Sequence, residues 1–320
     1  MRSRRETVRL LTLVSVAVLA IDACGGGSSS SGSTSASTPP ATTTVAATPR
    51  PKPPGPSYPQ VLGVALRSGP THLVPAVRWH GQTAVWLARL PSGVALLVFD
   101  QRLVVLRLHS GTADAGGAGW RFGPSATRRE LHTLVAAFNG GFRLSTGAGG
   151  FMSFGRVAVP LRSGLGSIVT YADGHTDVGA WHHGLPAPGA AVVSVRQNLS
   201  LLVDGGRPAS SVGCSSCWGA TLGGVSDPAR GALGVTADGR LVWAGGEKLT
   251  VAELAGALVS AGVVRAVELD INPEWVAAYL YGHRGGHGPL APIPVMPAQH
   301  GIPGEYLAPW SRDFFTVDVR

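Results

Sequence analysis

Glu268 and Asp270 stand two residues apart at the end of an apolar run, residues 263–269. In an extended strand, residues i and i+2 project to one face, so both carboxyl groups would emerge side by side at the strand's carboxyl end. Adjacent carboxylates repel, one pKa rises as the other falls, and general acid/base catalysis uses such a split. The structural alternative is an ion pair with Arg265 or Arg230, since a charge in a central strand is costly unless partnered.

Two further segments carry chemistry-bearing types. Asn139-Gly140-Gly141-Phe142 follows the apolar run 134–138. The glycines would let backbone amides approach a substrate phosphate, with the Asn amide positioning it; equally, Asn-Gly is a common hairpin turn. Arg230 precedes Ala232-Leu233-Gly234-Val235, where it would hold an anionic substrate group or serve as a solvated strand entry. His283 and His287 flank Gly285-Gly286, and the glycines argue against the helix that an i, i+4 metal pair needs. No metal site is expected, no cofactor is predicted, and no nucleophile elbow, P-loop or dinucleotide fingerprint occurs.

The elements that must position these groups are mostly short strands. Runs at 84–88, 94–99 and 103–106 read as an antiparallel meander, with turns at Pro91-Ser92-Gly93 and Asp100-Gln101-Arg102. A short helix is expected over 125–133, then strands at 134–138, 167–171, 191–197 and 199–203. The clearest helix is 250–261: Thr250 and Glu253 form a capping box, Gly262 supplies the stop, and Val251, Leu254, Ala255, Leu258 and Val259 make one apolar stripe. Many short mixed or antiparallel strands with a few packed helices give an α+β class.

The first 24 residues resemble an export signal. Arg2, Arg4, Arg5 and Arg9 precede a 12-residue apolar run from Leu10 to Ile21, shorter than the roughly 20 residues a membrane span requires. Ala23-Cys24 then resembles a bacterial lipobox, although Asp22 departs from it, so Cys24 is the expected lipidation site and plain cleavage with secretion the alternative. Residues 25–57 are Ser, Thr, Ala, Gly and Pro, a composition that cannot offset its ordering entropy, and read as a disordered tether. Residues 58–119 would hold the N-terminal β-meander and 120–320 the main domain.

The formal charge is +8; loss of residues 1–23 removes four Arg, Glu6 and Asp22 and leaves +6. Only Lys52 and Lys248 among the 26 basic residues are lysine. No basic run with interleaved aromatics appears, so nucleic acid is not an expected partner. With Cys24 lipidated, Cys214 and Cys217 remain, an even number for an oxidising compartment, and a local disulfide shaping a Gly-rich loop is expected.

Taken together, the strand into Asn139-Gly140-Gly141-Phe142, Arg230 before a Gly-containing strand and an Asp238-Gly239 hairpin, and the Leu-Thr-x-x-Glu-Leu helix leading to Leu269-Asp270 resemble the phosphodiester glycosidase family, of the N-acetylglucosamine-1-phosphodiester α-N-acetylglucosaminidase kind. The resemblance covers roughly residues 120–320, as of a divergent bacterial member. One departure stands out. The family continues its Leu-Asp into a glycine run, with Asn two residues before the Asp; here Glu268 holds the Asn position and Ile271-Asn272-Pro273-Glu274-Trp275 replaces the glycines. Pro273 has no amide proton to offer a phosphate.

The resemblance implies an exported, membrane-anchored hydrolase of glycosyl phosphodiesters or related envelope glycans. Asp270 would be the principal acid/base with Glu268 tuning it; Asn139, Gly140, Gly141, Arg230, Glu274 and Trp275 would bind the envelope glycan or sugar-phosphate substrate. The alternative is a non-catalytic glycan-binding or scaffold lipoprotein that retains the fold, with Trp275 as a stacking platform.

Overall fold

The structure is a computed structural model that describes residues 57–63, 69–219, 224–225, 227–302 and 304–320. The expected signal segment with Cys24, and the tether up to residue 56, lie outside the described residues.

In chain order the strands are β1 (Gln60–Val61), β2 (Val74–Trp79), β3 (Gln82–Arg89), β4 (Ala95–Phe99), β5 (Val104–His109), β6 (Leu134–Asn139), β7 (Phe151–Ser153), β8 (Arg156–Val159), β9 (Gly166–Tyr171) and β10 (Thr176–Trp181). They continue with β11 (Gly184–Leu185), β12 (Val192–Gln197), β13 (Leu201–Asp204), β14 (Arg207–Pro208), β15 (Arg230–Thr236), β16 (Leu241–Gly246), β17 (Val263–Glu268), β18 (Ala278–His283), β19 (Leu290–Pro294) and β20 (Phe314–Val319). Three sheets result: β1-β2-β3-β4-β16-β15-β17-β13-β14, β11-β10-β9-β12-β7-β8, and β19-β18-β6-β20-β5. The short β10–β11 pair is parallel, whereas β15 runs antiparallel to both β16 and β17.

The α+β expectation is overturned: the fold is essentially all-β. Among the described residues two α-helices occur, α1 (Glu130–Thr133) and α2 (Val251–Ser260). The helix expected over 125–133 shrinks to four residues, because Leu134 already enters the buried strand β6 and α1 has no side-chain cap. By contrast, α2 has the full capping box: Thr250 accepts from the Glu253 amide while the Glu253 carboxylate takes the Thr250 amide at 2.8 Å.

Strand alternation explains the layering. In β4, Ala95, Leu97 and Phe99 join the core enclosed by the three sheets, while Leu96 and Val98 face the opposite side and pack under Val251, Leu254, Ala255 and Leu258 of α2. β4 is therefore buried on both faces, which is why residues 94–99 read as an unbroken apolar run. The β2-β3-β4 meander continues through β4–β16 pairing into the same sheet as β15 and β17, whereas β5 pairs with β20 in the five-stranded sheet.

Candidate functional site

The carboxyl end of β17 lies beside the start of β15. Leu269 N–H donates to Gly231 O at 2.7 Å and Gly231 N–H to Asp270 O at 3.3 Å. Asn139, at the end of β6, lies next to Gly231, where an added Cβ would come within 3.5 Å of Asn139 Oδ1. Three segments remote in the chain thus converge through their backbones. Their side chains divide into two groups.

One group is sealed. Arg230 Nη1 meets Glu268 Oε1 at 2.6 Å, with Arg230 1 % and Glu268 0 % exposed. Arg230 Nε also donates to Leu249 O and Nη1 to Trp218 O, so none of its reach is spent on an open surface. Burial pushes the Glu268 pKa up against the pull of Arg230, and its Oε2 has no hydrogen-bond partner among the described residues. Asn139 also turns inward: Nδ2 donates to Gly140 O at 2.9 Å, and Oδ1 accepts from Ala277 N–H at 3.4 Å.

The Asn-Gly-Gly-Phe glycines have a packing reason. A Cβ on Gly140 would lie 2.0 Å from Asp313 Oδ2, and one on Gly141 2.8 Å from Arg196 Cζ. These atoms belong to a buried bidentate pair, Arg196 Nε–Asp313 Oδ2 at 2.8 Å and Nη2–Oδ1 at 3.2 Å. Gly140 N–H is itself engaged by Asp313 O at 2.9 Å.

The other group faces a cleft of about 290 Å³ lined by Asp270, Arg312, Arg143, Phe142, Trp275 and Ile271, among others. Asp270 Oδ2 accepts from Arg312 Nη2 at 2.8 Å, and its Oδ1 accepts the amides of Ile271 at 2.8 Å and Asn272 at 3.0 Å. The 271–275 segment thus directs its first two amides at Asp270. Arg312 also pairs with Asp114, donates to Gly141 O at 3.2 Å, and lies 5.2 Å from the Trp275 ring centroid. Burial raises the Asp270 pKa, while Arg312 and the two amides pull it down. Trp275 is half-buried and meets Trp310 edge-on at 5.6 Å. Arg143 is exposed at the rim.

Asn198 fastens the cleft's two walls. Its Oδ1 accepts Phe142 N–H at 3.1 Å, and its Nδ2 donates to Glu268 O at 2.6 Å and Leu269 O at 3.1 Å. Glu274 stands away from the lining, exposed and paired with His300 at 3.0 Å. Cys214 and Cys217 form a disulfide; the following Trp218, 1 % exposed, supplies the carbonyl that receives Arg230. No group of three or more His, Cys, Asp or Glu residues that could hold a metal ion occurs among the described residues. No helix among them is long and apolar enough to cross a membrane.

Sequence reasoning gave no site role to Arg312, Arg143, Asn198 or the Arg196–Asp313 pair. The one signal was the charged Arg312-Asp313 step immediately before an apolar strand, the same arrangement that singled out Arg230.

No family model matches the chain, and no curated protein matches it. Several solved structures are similar at low identity, three of them as follows. The zebrafish N-acetylglucosamine-1-phosphodiester alpha-N-acetylglucosaminidase catalytic domain, auto-inhibited by its pro-peptide, is 17 % identical over 78 % of this chain and 81 % of that one, with a TM-score of 0.43. A hypothetical protein from Synechocystis is 15 % identical over 75 % and 63 %, at 0.42. A putative exported protein from Burkholderia pseudomallei is 15 % identical over 76 % of each chain, at 0.34. The similarity is distant and at the level of the fold.

Proposed function

We propose that this chain is an exported, Cys24-anchored hydrolase of glycosyl phosphodiesters or related envelope glycans, with Asp270 as its acid/base. The observation that carries the reading is Asp270, held by Arg312 and two amides and 4 % exposed where it lines a cleft with an aromatic wall. Arg143, exposed at the rim, supplies the positive charge that a phosphodiester needs, because Arg312 is already spent on Asp270 and Asp114. Trp275 offers a ring to a pyranose. In the reaction, water adds to the anomeric carbon and yields its proton to Asp270. The anomeric C–O bond breaks, and its electron pair leaves on the phosphate oxygen beside Arg143. Burial favours proton uptake by Asp270, because it disfavours the charged carboxylate.

The sealed Arg230–Glu268 pair takes no part in contacting substrate; its role is to fix the strand end that carries Asp270. The test is hydrolysis of a panel of sugar-1-phosphodiesters by the wild type, with loss of turnover in Asp270→Asn. No turnover across the panel overturns the reading.

A second reading, a glycan-binding module without turnover, is favoured by one observation: Asp270 already accepts three hydrogen bonds, which lowers its basicity. Binding of the same sugar phosphodiesters without product release, retained in Asp270→Asn and lost in Trp275→Ala, would select it.

A further inference from the structure

A second, larger groove of about 750 Å³ lies apart from the cleft, between the edge of the nine-stranded sheet and the end of β18. Its walls come from residues 57–62, the β2–β3 hairpin tip at 78–81, and the turn after β18. None of its lining residues overlaps with those of the Asp270 cleft.

Three observations describe what it could hold. The first is its rings. Tyr58 lies 3.9 Å from the His283 ring and 6.2 Å from His287, and Trp79 lies 4.0 Å from His80. Trp79 is tied in place, its Nε1 donating to Arg320 O at 3.0 Å, and the His283 imidazole against which Tyr58 packs is held through Nδ1 at Gly288 O at 2.8 Å. Rigid amphipathic rings present apolar faces at little entropic loss. The second is charge. The lining includes Arg78 and no carboxylate, and Arg78 is exposed with no ion-pair partner among the described residues. The third is the hairpin tip. His80 (φ 47°) and Gly81 (φ 77°) occupy the two central turn positions, both left-handed. Glycine fits the first of these without the steric cost that any side chain adds.

We infer that this groove binds an acidic glycan chain, a carboxylate-bearing polysaccharide. Arg78 would pair with a uronate carboxylate in bidentate fashion. Pyranose faces would lie on the Tyr58 and Trp79 rings, and Ser57, Gln60 and the imidazoles would exchange hydrogen bonds with ring hydroxyls. Position adds a consequence: bound polymer at this groove would hold the domain on a glycan matrix while leaving the Asp270 cleft free.

The test uses the full chain and three probes: polygalacturonate oligomers, neutral dextran oligomers, and poly-L-glutamate of matched charge. Calorimetric titration should show binding of polygalacturonate, weaker binding of dextran, and no competition by poly-L-glutamate. Arg78→Gln should weaken polygalacturonate about tenfold or more, the scale of one charge-assisted contact. His80→Gly keeps the turn conformation and should weaken it by a smaller factor. Asp270→Asn should bind as the wild type does, which separates this inference from the catalytic reading. The inference is overturned by absence of polygalacturonate binding, by equal competition from poly-L-glutamate, by unchanged affinity in both groove variants, or by loss of binding in Asp270→Asn.

Discussion

Arg312 is the residue whose removal tests the site's electrostatics most directly. It is one cation between two carboxylates, Asp270 and Asp114, and it is 5 % exposed. Arg312→Met keeps most of the side-chain volume and deletes the charge. Two unit charges about 4 Å apart at an effective dielectric near 20 interact by about 4 kcal/mol, and removing one partner of a buried pair costs about 3–5 kcal/mol. Asp270 retains the amides of Ile271 and Asn272, so part of its carboxylate stabilisation survives and the lower half of that range is expected. At about 2–4 °C per kcal/mol for a domain of this size, the melting temperature should fall by roughly 6–15 °C at pH 8.

The pH dependence has a defined sign. Without Arg312 the folded-state pKa of Asp270 rises further above its unfolded value. The variant's stability is then present at low pH and is lost as pH climbs through that raised value. The gap between wild type and variant should widen from pH 4 to pH 8, read from urea midpoints at each pH. A gap that stays constant across this range, or one below about 1 kcal/mol at pH 8, would refute the placement of Arg312 as the counter-charge of Asp270.

Gly140→Ala should destabilise by about 3 kcal/mol or more, or prevent soluble expression, because the new Cβ meets Asp313 Oδ2 at 2.0 Å; a solubility and melting comparison with Gly123→Ala, where the space is open and φ is not positive, checks it. Asn198→Ala should lower stability by about 2–3 kcal/mol in urea titration, since Phe142 N–H and the carbonyls of Glu268 and Leu269 lose their shared partner. Burial pushes Glu305 up to about 7, so its contribution is fully present below the unfolded carboxyl pKa and is lost as pH rises through 7. Glu305→Gln should therefore flatten the decline of stability between pH 5 and 8 by up to about 3 kcal/mol, measured by the same urea midpoints.

Local signals carried well wherever they were short-range. The Thr250–Glu253 capping box, the apolar stripe of α2 and the runs that became β3, β4, β6, β9 and β17 depend on residues within a few positions of one another. The fold class did not survive, because a helix of four residues beside one of ten contributes little mass against three sheets. Which strands pair was also invisible: β5 leaves the meander for β20, more than 200 residues away, and nothing in residues 103–106 encodes that partner.

The sequence by itself determined that Glu268 and Asp270 close one apolar run and that Asn139-Gly140-Gly141 and Arg230 border two others; it left the glycines as a phosphate cradle or a hairpin turn. Tertiary structure alone decided what each side chain does. Glu268 and Arg230 neutralise one another in the interior, because each is the other's available partner once both are removed from water. Asp270 is left at the cleft with Arg312, a residue 42 positions along the chain. A counter-charge depends on distance in space, and spacing along a sequence carries that distance only within a single helix or strand.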